Sequence, residues 1–260
     1  MGTRLQFLIS LCLLKVHNCR EYVDMTYELF EGLPKTTVTP DFKQAVIFEG
    51  PWLKTKFFAS YKFESAEHMG THIDAPFHFN RNASYVNEIP FENLHGPGVV
   101  LDIRERVKKM GPGKEATVKI SDAKAWEKKY GKIPKGAIVI MNSGWGKHWP
   151  DVNKFIGLKD PDNPDGLVPS MLSPGFSKKL ARWLLKERYI IGIATDTINC
   201  DKGSAVNYDV HNILLPQEKW CVEMIANVEQ IPVNGTEIFV MPIKIRGGTG
   251  APARIFAMWN

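Results

Sequence analysis

Three histidines and one aspartate fall within eleven residues of this 260-residue chain: His68, His72, Asp74 and His78, in the run HMGTHIDAPFH. The whole chain holds only seven histidines, so three in one short run form a constellation rather than scatter. Neutral imidazole and carboxylate are ligands for Zn²⁺, and also suit Mn²⁺ or Fe²⁺. His68 and His72 are four apart and would share a face of a helix. A helix is disfavoured here, because Gly70, Thr71, Ile73 and Pro76 are all poor helix formers. The HExxH reading fails too, since Met69 stands where its glutamate belongs. A turn at a strand end, with Gly70 supplying backbone freedom, fits better. His68, His72 and Asp74 would then wrap a metal from one segment and leave positions open for water and substrate. His78 is either a further ligand or a general base.

Other chemistry is weakly supported. No G-x-S-x-G occurs, and neither Ser143-Gly144 nor Ser173-Pro174-Gly175 makes a nucleophile elbow. No phosphate loop of the G-x-x-x-x-G-K-[ST] type occurs. Gly247-Gly248-Thr249-Gly250 precedes a final strand rather than a helix and reads as a turn. Trp145, Trp149, Phe77 and Phe79 either line an aromatic substrate pocket or serve as plain packing.

The elements that must hold these residues are mostly strands. Apolar runs flanked by Gly or Pro predict them at Ala45–Phe48, Leu53–Phe63, Val99–Ile103, Thr117–Ile120, Ala137–Met141, Tyr189–Ala194, Cys221–Ile225, Ile238–Met241 and Arg254–Met258. Asp122–Tyr130 reads as a helix capped by Ser121 and ended by Gly131. Ser177–Lys186 reads as a second helix, with Leu180, Trp183 and Leu184 on one face. The stretch Trp149–Pro174, with five prolines, reads as a long surface loop. Strands interleaved with helices predict a mixed α/β fold, and no boundary in composition divides it.

Composition agrees with an ordinary globular chain: 44% hydrophobic, 23% charged, net charge +5. Basic residues are spread out, apart from small knots such as Arg104–Met110, which argues against nucleic acid as partner. Met1–Arg4 carries a charge, Leu5–Leu14 is a short apolar run, and Lys15, His17 and Asn18 are polar. That layout predicts a signal peptide over 1–19, cut somewhere around Asn18 to Arg20, and a single secreted domain over 20–260. Asn82-Ala83-Ser84 and Asn234-Gly235-Thr236 fit the N-glycosylation pattern. Of the four cysteines, Cys12 leaves with the signal and Cys19 is borderline. Cys200 and Cys221 either pair in an oxidising compartment or stay as buried thiols, the latter being preferred.

The string His68–His78 resembles the H-x-G-T-H-x-D-x-P-x-H signature of the cyclase-like metal-dependent hydrolases, which include kynurenine formamidase (arylformamidase) and isatin hydrolase. Every specified position matches. Further segments resemble the same family: Val23–Tyr27 its opening, Gly96–Asp102 the strand after the motif, and Ser143-Gly144-Trp145 a later turn. Pro174-Gly175 resembles a helix start, Ile191–Asp196 a strand and its end, and Met241–Ile245 and Gly250–Arg254 the closing strands. The resemblance implies a β/α domain around a barrel-like sheet, and homo-oligomers, commonly dimers, that exchange N-terminal arms. It also implies a histidine and, twelve residues later, a glutamate that complete the metal centre. His211 and Glu223 have that spacing. Glu223 lies within an apolar run, where a carboxylate needs a partner to offset its desolvation. With two Zn²⁺ or Mn²⁺ ions Asp74 would bridge to the one held with His211 and Glu223; with one ion those two residues would orient water instead. In either case His78 would carry protons in hydrolysis of an arylformamide or a related cyclic amide. The competing expectation is a secreted protein that keeps the fold and metal but only binds small aromatics.

Overall fold

The apolar runs near Val99, Val139 and Ile193 become neighbouring strands, because β-branched side chains suit a pleated surface covered on both faces. The computed structural model describes residues 19–36, 38–111, 113–159 and 171–260. In chain order the strands are β1 (Glu21–Asp24), β2 (Lys43–Trp52), β3 (Thr55–Glu64), β4 (His72–Asp74), β5 (His95–Asp102), β6 (Thr117–Val118), β7 (Ile138–Asn142), β8 (Gly175–Phe176), β9 (Gly192–Thr195), β10 (Trp220–Glu223), β11 (Thr236–Pro242) and β12 (Gly250–Trp259). The helices are α1 (Arg104–Met110), α2 (Ile120–Tyr130), α3 (Val152–Ile156), α4 (Lys178–Glu187) and α5 (Asp209–Leu214).

The main sheet runs β1-β12-β11-β5-β7-β9-β10-β4, and β4 pairs back onto β12. That last pairing closes seven strands into a barrel, with β1 added to the outer end of β12. Closure satisfies the hydrogen-bonding edges that an open sheet would expose. Strands β5, β7, β9 and β10 are parallel to one another. Strands β4, β11 and β12 run antiparallel to their neighbours. The fold is thus the mixed α/β, barrel-like one expected.

Alternation along the strands sorts the core into two layers. Val100, Ile138, Ile140, Ala194, Trp220, Val222 and Ile73 fill the barrel. Val99, Leu101, Val139, Met141, Ile193 and Cys221 face outward and are covered by the helices. Helix α4 contributes Leu180, Ala181 and Leu184 to that cover, and Ser177 caps it through Leu180 N–H. Trp183, expected on the same face, is only partly buried, and the Arg188 guanidinium lies 4.1 Å above its ring.

Several boundaries differ from expectation for local reasons. Helix α2 starts at Ile120, and the carboxylate of Asp122, not the hydroxyl of Ser121, returns to Lys119 N–H at 2.8 Å. The run Leu53–Phe63 is broken at its start, where Leu53 takes φ of 49° in the reversal between β2 and β3. The basic knot Arg104–Met110 is a helix with no fully buried residue; only Val107 and Met110 lean on the core, too narrow an apolar face to stand out among the charges. The loop expected over Trp149–Pro174 contains α3, capped by Asp151 and ended by Gly157 in the left-handed region. Gly175 opens the short strand β8 rather than a helix; the helix begins at Lys178. Cys200 and Cys221 are buried free thiols, and Cys19 is free and exposed. The signal-like segment over 1–18, with Cys12, lies outside the described residues, as do 160–170. Among the described residues no helix is long and apolar enough to cross a membrane.

Candidate metal centre

The site is built on the pairing of β4 with β10. His72 stands opposite Glu223, and Asp74 opposite Cys221. A strand alternates faces, so His72, Asp74, Cys221 and Glu223 all point one way, while Ile73 and Val222 enter the barrel. Cys221 shares the outer apolar layer with Val210 and Leu214 of α5. The same helix brings His211 over Asp74. His68 reaches the group from before the turn at Gly70, whose φ is +58° and where a Cβ would lie 2.6 Å from the Leu29 side chain. Thr71 fixes that turn. Its hydroxyl donates to Met224 O at 2.6 Å and accepts from Tyr27 N–H at 2.9 Å.

Asp74 is the common point. Its Oδ1 lies 2.6 Å from His68 Nδ1 and 3.4 Å from His72 Nε2. Its Oδ2 lies 3.2 Å from His211 Nε2. Glu223 closes the group, with Oε2 3.6 Å from His72 Nε2 and Oε1 3.3 Å from His211 Nε2. Ligand atoms held tetrahedrally about a Zn²⁺ at 2.0–2.1 Å lie roughly 3.3 Å apart. Most of these separations fall near that edge length, so the donor set fits a divalent cation. Two triads, His68–Asp74–His78 and His72–Asp74–Glu223, each have donor atoms within 4.8 Å of one another. Asp74 belongs to both, as a carboxylate bridging two ions would.

The outer hydrogen bonds orient two of the rings. His72 Nδ1 lies 2.8 Å from Gly70 O, and His211 Nδ1 lies 2.7 Å from Asp201 Oδ2. In each case Nδ1 donates and Nε2 is turned to the carboxylates. Asp201 also accepts from the Val210 and His211 amides, and Glu223 accepts from Cys200 N–H at 2.8 Å.

Charge balance explains the titration shifts. Burial pushes the His72 pKa down, but the hydrogen bond and charge of Asp74, then Glu223 and the Gly70 carbonyl, outweigh it and carry it to about 9. Burial also disfavours charged His211, yet Asp201, Asp74 and Glu223 hold its pKa well above 6.5. Asp74 is the mirror case: burial raises its pKa, and His68, His211 and His72 drive it well below the carboxylate range. Protons on His72 and His211 thus neutralise buried carboxylates, a role that a bound cation would take over.

His78 behaves differently. Its ring lies tilted by 31° against His68 with centroids 4.0 Å apart, and 6.4 Å from the ring of His211. Desolvation lowers its pKa, Asp74 opposes, and His68, His211 and His72 push further down, to about 4. The residue is exposed at the surface, and hydration of an exposed ring weakens the desolvation part. The direction is downward, so the ring is neutral at pH 7.

The aromatic candidates separate. Phe79 packs on the His211 ring at 4.8 Å between centroids, whereas Phe77 stacks on Tyr85. Trp149 stacks on Tyr27 at 4.0 Å, and the Trp145 indole N–H donates to Phe155 O. Sequence reasoning passed over Asp201 and Asp196. Asp201 lies ten residues before His211, with no regular spacing to mark it. Asp196 was seen only as a strand end. Its buried carboxylate accepts from Ser143 N–H, Ser143 Oγ–H and Trp145 N–H, and burial outweighs those bonds to raise its pKa to about 6. It pins the turn after β7.

The Cyclase family model matches residues 23–202, more than half of the chain, including the whole His68–His78 run. This chain belongs to the cyclase family. It is 28% identical over 257 aligned positions to isatin hydrolase from Roseibium aggregatum, covering 92% of this chain and 91% of that one. It is 25% identical over 187 positions to kynurenine formamidase from Salinibacter ruber, covering 72% and 74%. Isatin hydrolase A from Ralstonia solanacearum superposes with a TM-score of 0.80 at 28% identity, over 93% of this chain and 92% of that one.

Proposed function

We propose that this cyclase-family chain is a metal-dependent hydrolase of small aromatic amides, either arylformamides such as N-formylkynurenine or cyclic amides such as isatin. The observation that carries the reading is the convergence of His68, His72 and His211 on the two oxygens of Asp74, with Glu223 set against the His72 and His211 rings. The relatives named isatin hydrolase and kynurenine formamidase support the substrate class. A divalent cation such as Zn²⁺ or Mn²⁺ held there would acidify water and polarise a carbonyl oxygen. His68, His72 and Asp74 would hold it, with His211 and Glu223 completing that centre or a second one through the far oxygen of Asp74. His78, neutral at pH 7 and beside the donor group, accepts a proton from the attacking water and returns it to the leaving nitrogen. Phe79 offers an apolar ring face next to His211. The test is paired. Elemental analysis of purified protein should give stoichiometric metal, and N-formylkynurenine or isatin should turn over until a chelator is added. Metal without turnover would favour a small-molecule binder; absence of metal after reconstitution would sink the reading.

The hairpin β2–β3 supports a second proposal, a homodimer. It makes no strand pairing with the barrel, and it exposes Val46, Ile47, Trp52, Leu53, Phe57, Phe58 and Phe63. Secretion is likewise proposed. It is supported by the apolar run Leu5–Leu14 and by the exposed positions of Asn82 and Asn234, and is tested by the mass of protein recovered from culture medium.

A further inference from the structure

The glycine-rich turn Gly247–Gly250 holds no phosphate-loop helix, yet it closes against the metal centre. Thr249 is its hub. Its carbonyl accepts from Ala75 N–H at 2.9 Å, tying the turn to the residue after Asp74. Its amide and its hydroxyl both meet Oε2 of Glu67, at 2.9 and 2.6 Å. The same hydroxyl oxygen lies 3.0 Å from Nε2 of His68.

A threonine hydroxyl has one hydrogen, and a carboxylate only accepts. The Thr249 hydrogen therefore goes to Glu67, and the oxygen is left to accept from His68 Nε2–H. In a neutral imidazole the lone pair then sits on Nδ1. That is the atom 2.6 Å from Asp74 Oδ1, a contact that a second ring proton bridges in the metal-free protein and that a cation would bridge in the loaded one. His72 and His211 have the opposite arrangement, donating from Nδ1 and presenting Nε2. The two glycines make room for it. A Cβ on Gly250 would lie 2.6 Å from His68 Cε1, and one on Gly248 would lie 3.2 Å from Glu67 Oε1.

We propose that Thr249, held by Glu67, is a positioning residue that fixes the ring and tautomer of His68, so that Nδ1 rather than Nε2 is offered to the metal. This rests on the metal-centre reading above. The experiment titrates wild type, Thr249→Val and Thr249→Ser with Zn²⁺ against a competing chelator, and records ¹⁵N histidine spectra of the Zn²⁺-loaded wild type. Thr249→Val is expected to weaken Zn²⁺ binding by roughly 10- to 100-fold, and Thr249→Ser to restore it. The His68 resonances should show a proton on Nε2 and metal on Nδ1, a readout that does not depend on any variant folding. Wild-type Zn²⁺ affinity in Thr249→Val, or a metal on Nε2 of His68, overturns the proposal alone. A wild type that takes no Zn²⁺ overturns the metal reading and this proposal with it.

Discussion

Oδ2 of Asp74 stands 3.2 Å from Nε2 of His211, across 137 residues of sequence. The other oxygen of the same carboxylate faces His68 and His72. One side chain on the three-residue strand β4 therefore gathers donors from a loop, a strand and a helix. Helix α5 is only six residues long, and it is placed by the packing of Val210 and Leu214 and by the hydrogen bonds that the Val210 and His211 N–H groups donate to the Asp201 carboxylate.

Asp74→Asn keeps the shape of the carboxylate but removes the charge that both donor sets share. We expect it to lose stoichiometric metal and all measurable turnover. His72→Ala should do the same while leaving the barrel folded, because His72 points away from the barrel interior. Elemental analysis with far-UV circular dichroism checks both; full metal content in Asp74→Asn would exclude its role as the common ligand.

The metal-free protein should lose stability as pH rises. The His72 pKa in the fold is raised above its unfolded value of 6.5 to about 9, and that of His211 is raised in the same direction. Their protonation therefore stabilises the fold fully below pH 6.5 and ceases to do so as pH climbs through about 9. Denaturant midpoints of chelated protein at pH 6 and pH 9 test this, with a loss on the order of 1–3 kcal/mol expected. Metal-loaded protein should not show the loss, since ligation replaces those protons, and the metal should bind more tightly at the higher pH. A rise in metal-free stability toward pH 9 would contradict the proposed charge balance.

Much of this site was legible because its densest part is local. His68, His72, Asp74 and His78 announce themselves by residue type within one turn, the strand after it and the short 3-10 helix Pro76–His78. Glu223 could be suspected as a carboxylate within an apolar strand, and its pairing opposite His72 gives the physical reason. The strands of the barrel were legible as apolar runs, but closure was legible only through the family resemblance: it depends on β4 pairing with both β10 and β12, and three residues carry no periodic signal. Asp201 was illegible for a related reason, since its partner His211 is reached only after the chain has folded α5 against it. Helices α1 and α3 were missed because one rests only Val107 and Met110 on the core and the other has five residues.

His78→Ala separates proton carrier from ligand. If His78 carries the proton, the variant should retain its metal and lose roughly 10²- to 10⁴-fold in kcat. The depressed pKa sets the pH dependence. The base is active when neutral, so the acid limb of kcat should lie below 6.5 and toward 4. Loss of metal from His78→Ala would instead make it a ligand, which its place in the His68–Asp74–His78 triad allows.

The exposed hairpin should form the dimer contact. An isolated two-stranded hairpin is marginally stable in water, and this one leaves Phe57 64% and Phe63 60% exposed. Phe48, Trp52 and Phe58 cluster along it, with centroids 5.1 to 6.1 Å apart. Apolar surface of this extent on a structured strand pair marks an interface. A second copy burying about 1,000 Å² or more in total would cover it. Phe57→Asp should therefore convert a dimer to a monomer in light scattering coupled to size exclusion. The barrel should keep its melting transition, because the hairpin adds no strand to it. A wild type that runs at the mass of one chain across micromolar concentrations would remove the second copy as the partner of this surface.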